Sequence, residues 1–129
     1  MFFSYEGLVG GGTFMLDDTT NGTISADPKQ IIGKVVTVTG DGEVGYGAAD
    51  DEILGVVTQV EYVSTNDDNF VVTVEWGKTF EGIPCQGTES AGEFLAGNGD
   101  GTVKTSVEHT GCKALLVDKT NGNTCVIKI

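Results

Sequence analysis

From residue 31 onward the apolar positions come in short β-branched runs separated by glycine-rich breaks, a rhythm that predicts strands rather than helices. Lys34-Val35-Val36-Thr37-Val38-Thr39 reads as a strand, Gly40-Asp41-Gly42 as a tight turn that can take a positive φ, and Glu43-Val44-Gly45-Tyr46 as the return strand of a hairpin. Residues 53–63 follow, and their second half alternates apolar with polar side chains as a half-buried strand does. The polar tip at 64–69 leads into Phe70-Val71-Val72-Thr73-Val74-Glu75-Trp76, which completes a longer hairpin. After Gly77 the predicted strands shorten to 78–81, 83–85, 93–96, 102–105, 114–118 and 124–129. Pro84 cannot donate to a ladder, so it marks an edge or a strand end. No stretch holds a helical period over three turns, and residues 88–95 accommodate at most a short turn of helix.

Residues 1–30 lack this rhythm. Phe2, Phe3, Tyr5, Leu8, Phe14 and Met15 are scattered among Gly, Thr, Asn and Asp without a period of 2 or 3.6, so the segment is expected to be an irregular arm preceding a single β domain at 31–129. A freely solvated tail has little use for so many aromatics, which favours an arm that orders on a neighbouring subunit or partner.

The two halves of the chain echo each other. Each offers a strand, a Gly-Asp-Gly turn, a second short strand, a spacer, an apolar strand (Leu54-Gly55-Val56-Val57 or Leu115-Leu116-Val117), an Asn/Asp-rich tip and a last alternating strand. The expectation is an all-β fold, a small compact β-barrel or β-sandwich built from hairpins, in which two related units close on one core.

Composition narrows the partners. The chain has 129 residues, 20 of them Gly, and carries 19 acidic residues against 7 basic ones, all Lys, for a net charge of -12. Without Arg or a Lys-rich patch it is a poor match for nucleic acid, and an anionic membrane surface would repel it. Met1-Phe2-Phe3-Ser4-Tyr5-Glu6 has no basic region of the kind that opens a signal peptide, and no apolar window is long enough to span a bilayer. Cys85, Cys112 and Cys125 are widely spaced with no C-x-x-C pair, which argues against a disulfide framework or a zinc site and suggests buried free thiols made in a reducing cytoplasm. A single disulfide is the alternative.

Catalytic signals are weak. The one histidine lies in Ser106-Val107-Glu108-His109-Thr110-Gly111-Cys112, with no nucleophile elbow or protease-type cysteine signature around it, and is read as a solvated loop residue. Asp17-Asp18, Asp50-Asp51-Glu52 and Asp67-Asp68 read as solvated acidic turns. Asn98-Gly99-Asp100-Gly101-Thr102 supplies hard oxygens but does not complete a calcium loop. Gly10-Gly11-Gly12-Thr13 lacks the Gly-Lys-Ser/Thr ending of a phosphate loop. Trp76, Tyr46 and Tyr62 are read as cross-strand core packing rather than a sugar-binding face. The chain is accordingly expected to be no enzyme, with no cofactor and no metal.

Gly33-Lys34-Val35-Val36-Thr37-Val38, then Gly40-Asp41-Gly42-Glu43-Val44, then Ala48-Ala49-Asp50-Asp51-Glu52-Ile53-Leu54-Gly55-Val56-Val57, resembles the opening of the tailed-phage capsid decoration (cement) family. In that family a G-D/K-V-V-T-V strand and a short hairpin precede an I-L-G-V strand. Gly92-Glu93-Phe94-Leu95 and Gly99-Asp100-Gly101-Thr102-Val103 are similar to its second copy. Gly111-Cys112-Lys113-Ala114-Leu115-Leu116-Val117 stands where the family has a further G-V strand, and departs from it.

The resemblance spans residues 31–129 and implies a compact β-rich domain, often trimeric, made in the host cytoplasm and docked on the outer surface of the virion. There it would bind the major capsid protein and staple neighbouring capsomers. Under this reading Phe2, Phe3, Tyr5, Leu8, Phe14 and Met15 are the candidate capsid-binding residues of the arm. A different reading is a carbohydrate- or surface-binding β-module of a fibre or secreted protein, which requires an exposed Trp76.

Overall fold

The computed structural model describes residues 10–63, 69–120 and 122–129. Strands β1 (Gly10–Leu16), β2 (Val35–Gly40), β3 (Glu43–Gly45), β4 (Gly55–Val63) and β5 (Asn69–Trp76) close into a barrel in the order β1-β3-β2-β4-β5. β1 runs parallel to β3 and antiparallel to β5, and the other pairs are antiparallel. Alternation along the strands points Phe14, Leu16, Val36, Val44, Val57, Val72 and Val74 into one apolar cluster. The fold is all-β with a closed barrel, as expected.

β6 (Thr79–Pro84), β7 (Leu95–Gly97), β8 (Val103–Thr105), β9 (Lys113–Asp118) and β10 (Thr124–Lys128) repeat that path. β10 lies between β6 and β9, β7 pairs β8, and single bridges join Cys85 to Val103 in parallel and Phe94 to Lys113 antiparallel. The ring order is therefore β6-β8-β7-β9-β10, the first unit's order strand for strand, with two of its seams reduced to one bridge each. Pro84 ends β6 as its missing N–H requires. Gly82, at φ 70°, bends the strand where the pairing with β10 shifts register, so the two short strands expected at 78–81 and 83–85 form one.

The register is duplicated as well. Thr37↔Gly45 and Val38↔Val44 on β2 and β3 return as Ala96↔Lys104 and Gly97↔Val103 on β7 and β8, each residue displaced by the same sequence interval. The Val57 N–H donates to the Lys34 carbonyl at 3.0 Å, and the Ala114 N–H donates to the Glu93 carbonyl at 2.8 Å. Gly33 and Gly92 open the matching strands at φ 88° and 92°, and Gly42 and Gly101 follow the two Gly-Asp turns at φ 65° and 88°.

The units do not share one core. A second apolar cluster gathers Phe80, Ile83, Leu95, Val103, Ala114, Cys125 and Ile127 with Val35, Ile53 and Val56 of the first unit. Val36 and Val57 face the barrel interior while their neighbours Val35 and Val56 face the second cluster, so the first residues of β2 and β4 form a wall buried on both sides. That is why their sequences run Val-Val rather than alternating with polar residues.

The region expected as an arm divides at residue 10. Residues 1–9 lie outside the described residues, whereas 10–31 are packed: β1 is barrel wall, and Thr20, Ile24 and Ile31 are buried. The helix α1 (Asp18–Ile24), where no helix was expected, starts at the N-cap Asp17, whose Oδ1 accepts the Thr20 N–H at 2.7 Å. A 3₁₀ turn (Pro28–Ile31) completes the connection to β2.

Candidate functional site

Of the residues expected to anchor a partner, Phe2, Phe3, Tyr5 and Leu8 lie outside the described residues. Phe14 is 4% exposed inside the barrel, with Val72 as its cross-strand partner, and cannot reach a partner without opening the barrel. Met15, one position on, faces outward on the same strand and is 40% exposed.

The chain enters β1 at Gly10, opposite Trp76. A Cβ on Gly10 would fall 2.1 Å from the Trp76 indole nitrogen, and one on Gly11 would fall 3.1 Å from the Val74 carbonyl. Gly10 thus lets an indole lie against bare backbone. Trp76 also packs on Phe14, with ring centroids 6.4 Å apart. Tyr46 is buried, whereas Tyr62 is exposed and packs on Phe70 at the far end of β5, roughly 20 Å along the strand from Trp76. The three aromatics share no common face, as the core-packing expectation requires for Trp76 and Tyr46 but not for Tyr62.

The other apolar exposure is spread over both units: Ile32, Val38 and Val107 singly, and Leu115 with Leu116 on β9. Beside Leu115 a shallow groove of about 370 Å³ is lined by Phe94, Lys113 and Ile129. A smaller cleft of about 210 Å³ between α1 and the segment after β3 is lined by hydroxyls, Asp17 and Tyr46. Among the described residues no helix is long and apolar enough to cross a membrane.

The acidic residues act largely on their own turns. Asp17 caps α1, Asp51 accepts the Ala48 N–H at 2.8 Å, and Asp100 and Asp118 accept the N–H of Thr102 and Thr120. The Thr120 hydroxyl, and then its amide, hold the Asp118 carboxyl below its usual range. Asp50 pairs with Lys104 at 2.9 Å and sits at φ 74°. His109 differs from the solvated residue expected. Its Nε2 donates to the Asp50 carbonyl at 3.0 Å and its Nδ1 lies 3.9 Å from Glu52, so it ties the β8–β9 loop of one unit to the β3–β4 loop of the other. Burial pushes the Cys112 thiol up to about 12, so it carries no attacking thiolate at neutral pH.

One grouping was missed by sequence reasoning. Cys85 follows β6, Cys125 lies on β10 opposite Ile83, and Glu89 stands in the loop between β6 and β7; their ligand atoms all lie within 4.8 Å of one another. Glu89 is 2% exposed and accepts the N–H groups of Gln86 and Gly87 at 3.2 and 2.8 Å. Burial, and then a hydrogen bond with Cys85, drives the Cys125 thiol above its ordinary range. Cys85 and Glu89 are only four residues apart, but that spacing alone signals no metal site, and the third ligand, Cys125, joins them only through strand register. The usable clue was that Ile83-x-Cys85 and Cys125-x-Ile127 put both thiols on inward positions of neighbouring strands.

No protein-family model, no curated protein and no solved structure matches this chain.

Proposed function

We propose that this chain is a capsid decoration protein that binds the outer surface of a phage head and reinforces the major capsid protein lattice. The supporting observation is where the family-like residues fall. Gly33 to Val44 and Gly92 to Val103 build the same strand, Gly-Asp-Gly turn and strand in the same register in both units. A doubly walled β body of this kind is suited to presenting fixed surfaces to other proteins. A net charge of -12 keeps many copies apart before assembly. Docking falls to residues 1–9, with Phe2, Phe3, Tyr5 and Leu8 as anchors, and to Met15 on the adjoining strand. A trimer would multiply modest single contacts by avidity.

The test is co-sedimentation of purified protein with expanded, undecorated heads, with and without residues 1–9. The full chain should pellet with the heads, and the truncated chain should bind at least roughly tenfold more weakly, the loss expected from one buried aromatic anchor. Failure of the full chain to pellet at saturating concentration would exclude the proposal.

A further inference from the structure

We propose that Cys85, Glu89 and Cys125 bind one zinc ion inside the second unit, with water in the fourth position. The donors suit that metal: two sulfurs and a carboxylate oxygen are a borderline-soft set. Their mutual separations, all within 4.8 Å, are close to the roughly 3.3–3.8 Å between ligands of a tetrahedral zinc site, so a small contraction closes the site.

The ligands are held by structure outside the cluster. The Cys85 N–H donates to the Asn123 carbonyl at 3.1 Å, and the Asn123 side-chain amide donates to the Gln86 carbonyl at 3.0 Å. Gly87, at φ 90°, lies so close to Asn123 that a Cβ there would come within 2.6 Å of its side chain. The loop carrying Glu89 is therefore clamped to the turn before β10. Backbone amides hold Glu89 in place, the outer-shell support that metal carboxylates commonly have.

Charge and position both favour a cation here. Glu89 is buried, and none of the ion pairs among the described residues includes it. Buried carboxylates are normally paired with a cation or bound to a metal. In the first unit the two inward positions that match Cys85 and Cys125 hold Leu16 and Val72, so the second unit has sulfur where its counterpart has hydrocarbon. Cys85 is half-buried, which leaves a way in for metal and water. Uptake replaces the proton of each thiol with a sulfur–zinc bond, so binding releases protons and weakens as pH falls.

The test uses the full chain, reduced and stripped of metal. Zinc should bind at one ion per chain and raise the melting temperature. Cobalt should give thiolate-to-metal charge-transfer absorption and the intense visible bands of a tetrahedral site. Cys85→Ser and Glu89→Gln, which keep size and shape, should each weaken binding beyond the roughly 10- to 100-fold that losing an outer-shell partner costs. Cys112→Ala lies outside the ligand set and should leave stoichiometry and spectrum unchanged. No cobalt–thiolate band in the wild-type chain, or a band that survives in Cys85→Ser while the circular dichroism stays native, would overturn the proposal.

Discussion

Residues 10–76 and 79–128 follow one strand path, but the first unit closes along continuous ladders and the second closes at two seams through single bridges. The difference lies in strand length and filling. β2 has six residues where its counterpart β7 has three, and the β1–β3 and β2–β4 seams each hold two register pairs where their counterparts hold a single bridge. Inward positions holding Phe14, Leu16, Val57 and Val72 in the first unit hold Ile83, Cys85, Ala114 and Cys125 in the second. The first unit is also stopped by α1 and the 3₁₀ turn, which bury Ile24 and Ile31, while the shorter link of the second contributes Glu89. Path and register therefore rest on a few turn glycines and on strand parity. Closure depends on bulk, and the second unit recovers part of that bulk by borrowing Val35, Ile53 and Val56 from the outside of the first.

Removing bulk at matched positions tests this most strongly. Phe14→Ala should cost about 3–5 kcal/mol and Ile83→Ala about 2–5 kcal/mol in urea unfolding, each in a single transition because the units share a wall. A loss below about 1 kcal/mol for Phe14→Ala would return residue 14 to an arm. Separate transitions would divide the units.

Backbone strain is a sharper probe of the repeat. Gly33 and Gly92 both have positive φ and open space where a Cβ would go, so alanine at either meets conformational strain alone. Each substitution should cost about 1–2 kcal/mol, and the two should agree closely. Unequal costs would show that the register match is not an energetic match. Asp17→Ala removes the cap of α1, which has no counterpart among the described residues of the second unit, and should lower stability by about 1 kcal/mol.

The smallest effect is at alkaline pH. Burial, and then the charge of Asp100, push the Tyr46 phenol from its usual 10.0 up to about 12. The folded protein holds that proton more tightly than the unfolded chain does. Its contribution to stability is thus complete below pH 10 and is lost as pH rises toward 12. The hydroxyl has no hydrogen-bond partner among the described residues, so Tyr46→Phe should be neutral or slightly stabilising at pH 7. Comparison of urea midpoints at several alkaline pH values should then show a shallower decline for Tyr46→Phe than for wild type. Identical declines would contradict the assigned burial.

Much of this fold was legible because β-branched runs and glycine turns mark strands directly, as at Val35–Gly40 and Asn69–Trp76. The internal echo was legible for the same reason. β1 was not, since Gly10, Gly11 and Gly12 contribute no side chains to an alternating pattern, and the indole that needs Gly10 bare lies far along the chain at Trp76. Nor was α1 legible: Asp-Thr-Thr-Asn-Gly-Thr-Ile has low helix propensity. Tertiary contacts hold it, including the Thr20 hydroxyl that accepts the Tyr46 N–H at 3.0 Å. The expectation of one core failed because sequence cannot distinguish a strand buried on one face from a wall shared by two clusters. The thiol cluster was hidden in the same way, since Cys85 and Cys125 meet only after β6 and β10 pair.

The central functional claim is that this two-unit body is a rigid tile for a capsid lattice. Electron cryo-microscopy tests it most directly, using expanded, undecorated phage heads mixed with the purified protein. The account predicts discrete density for the body at repeating positions on the outer surface, with the Gly10 end of β1 directed toward the shell. Bare shells at saturating protein would contradict it.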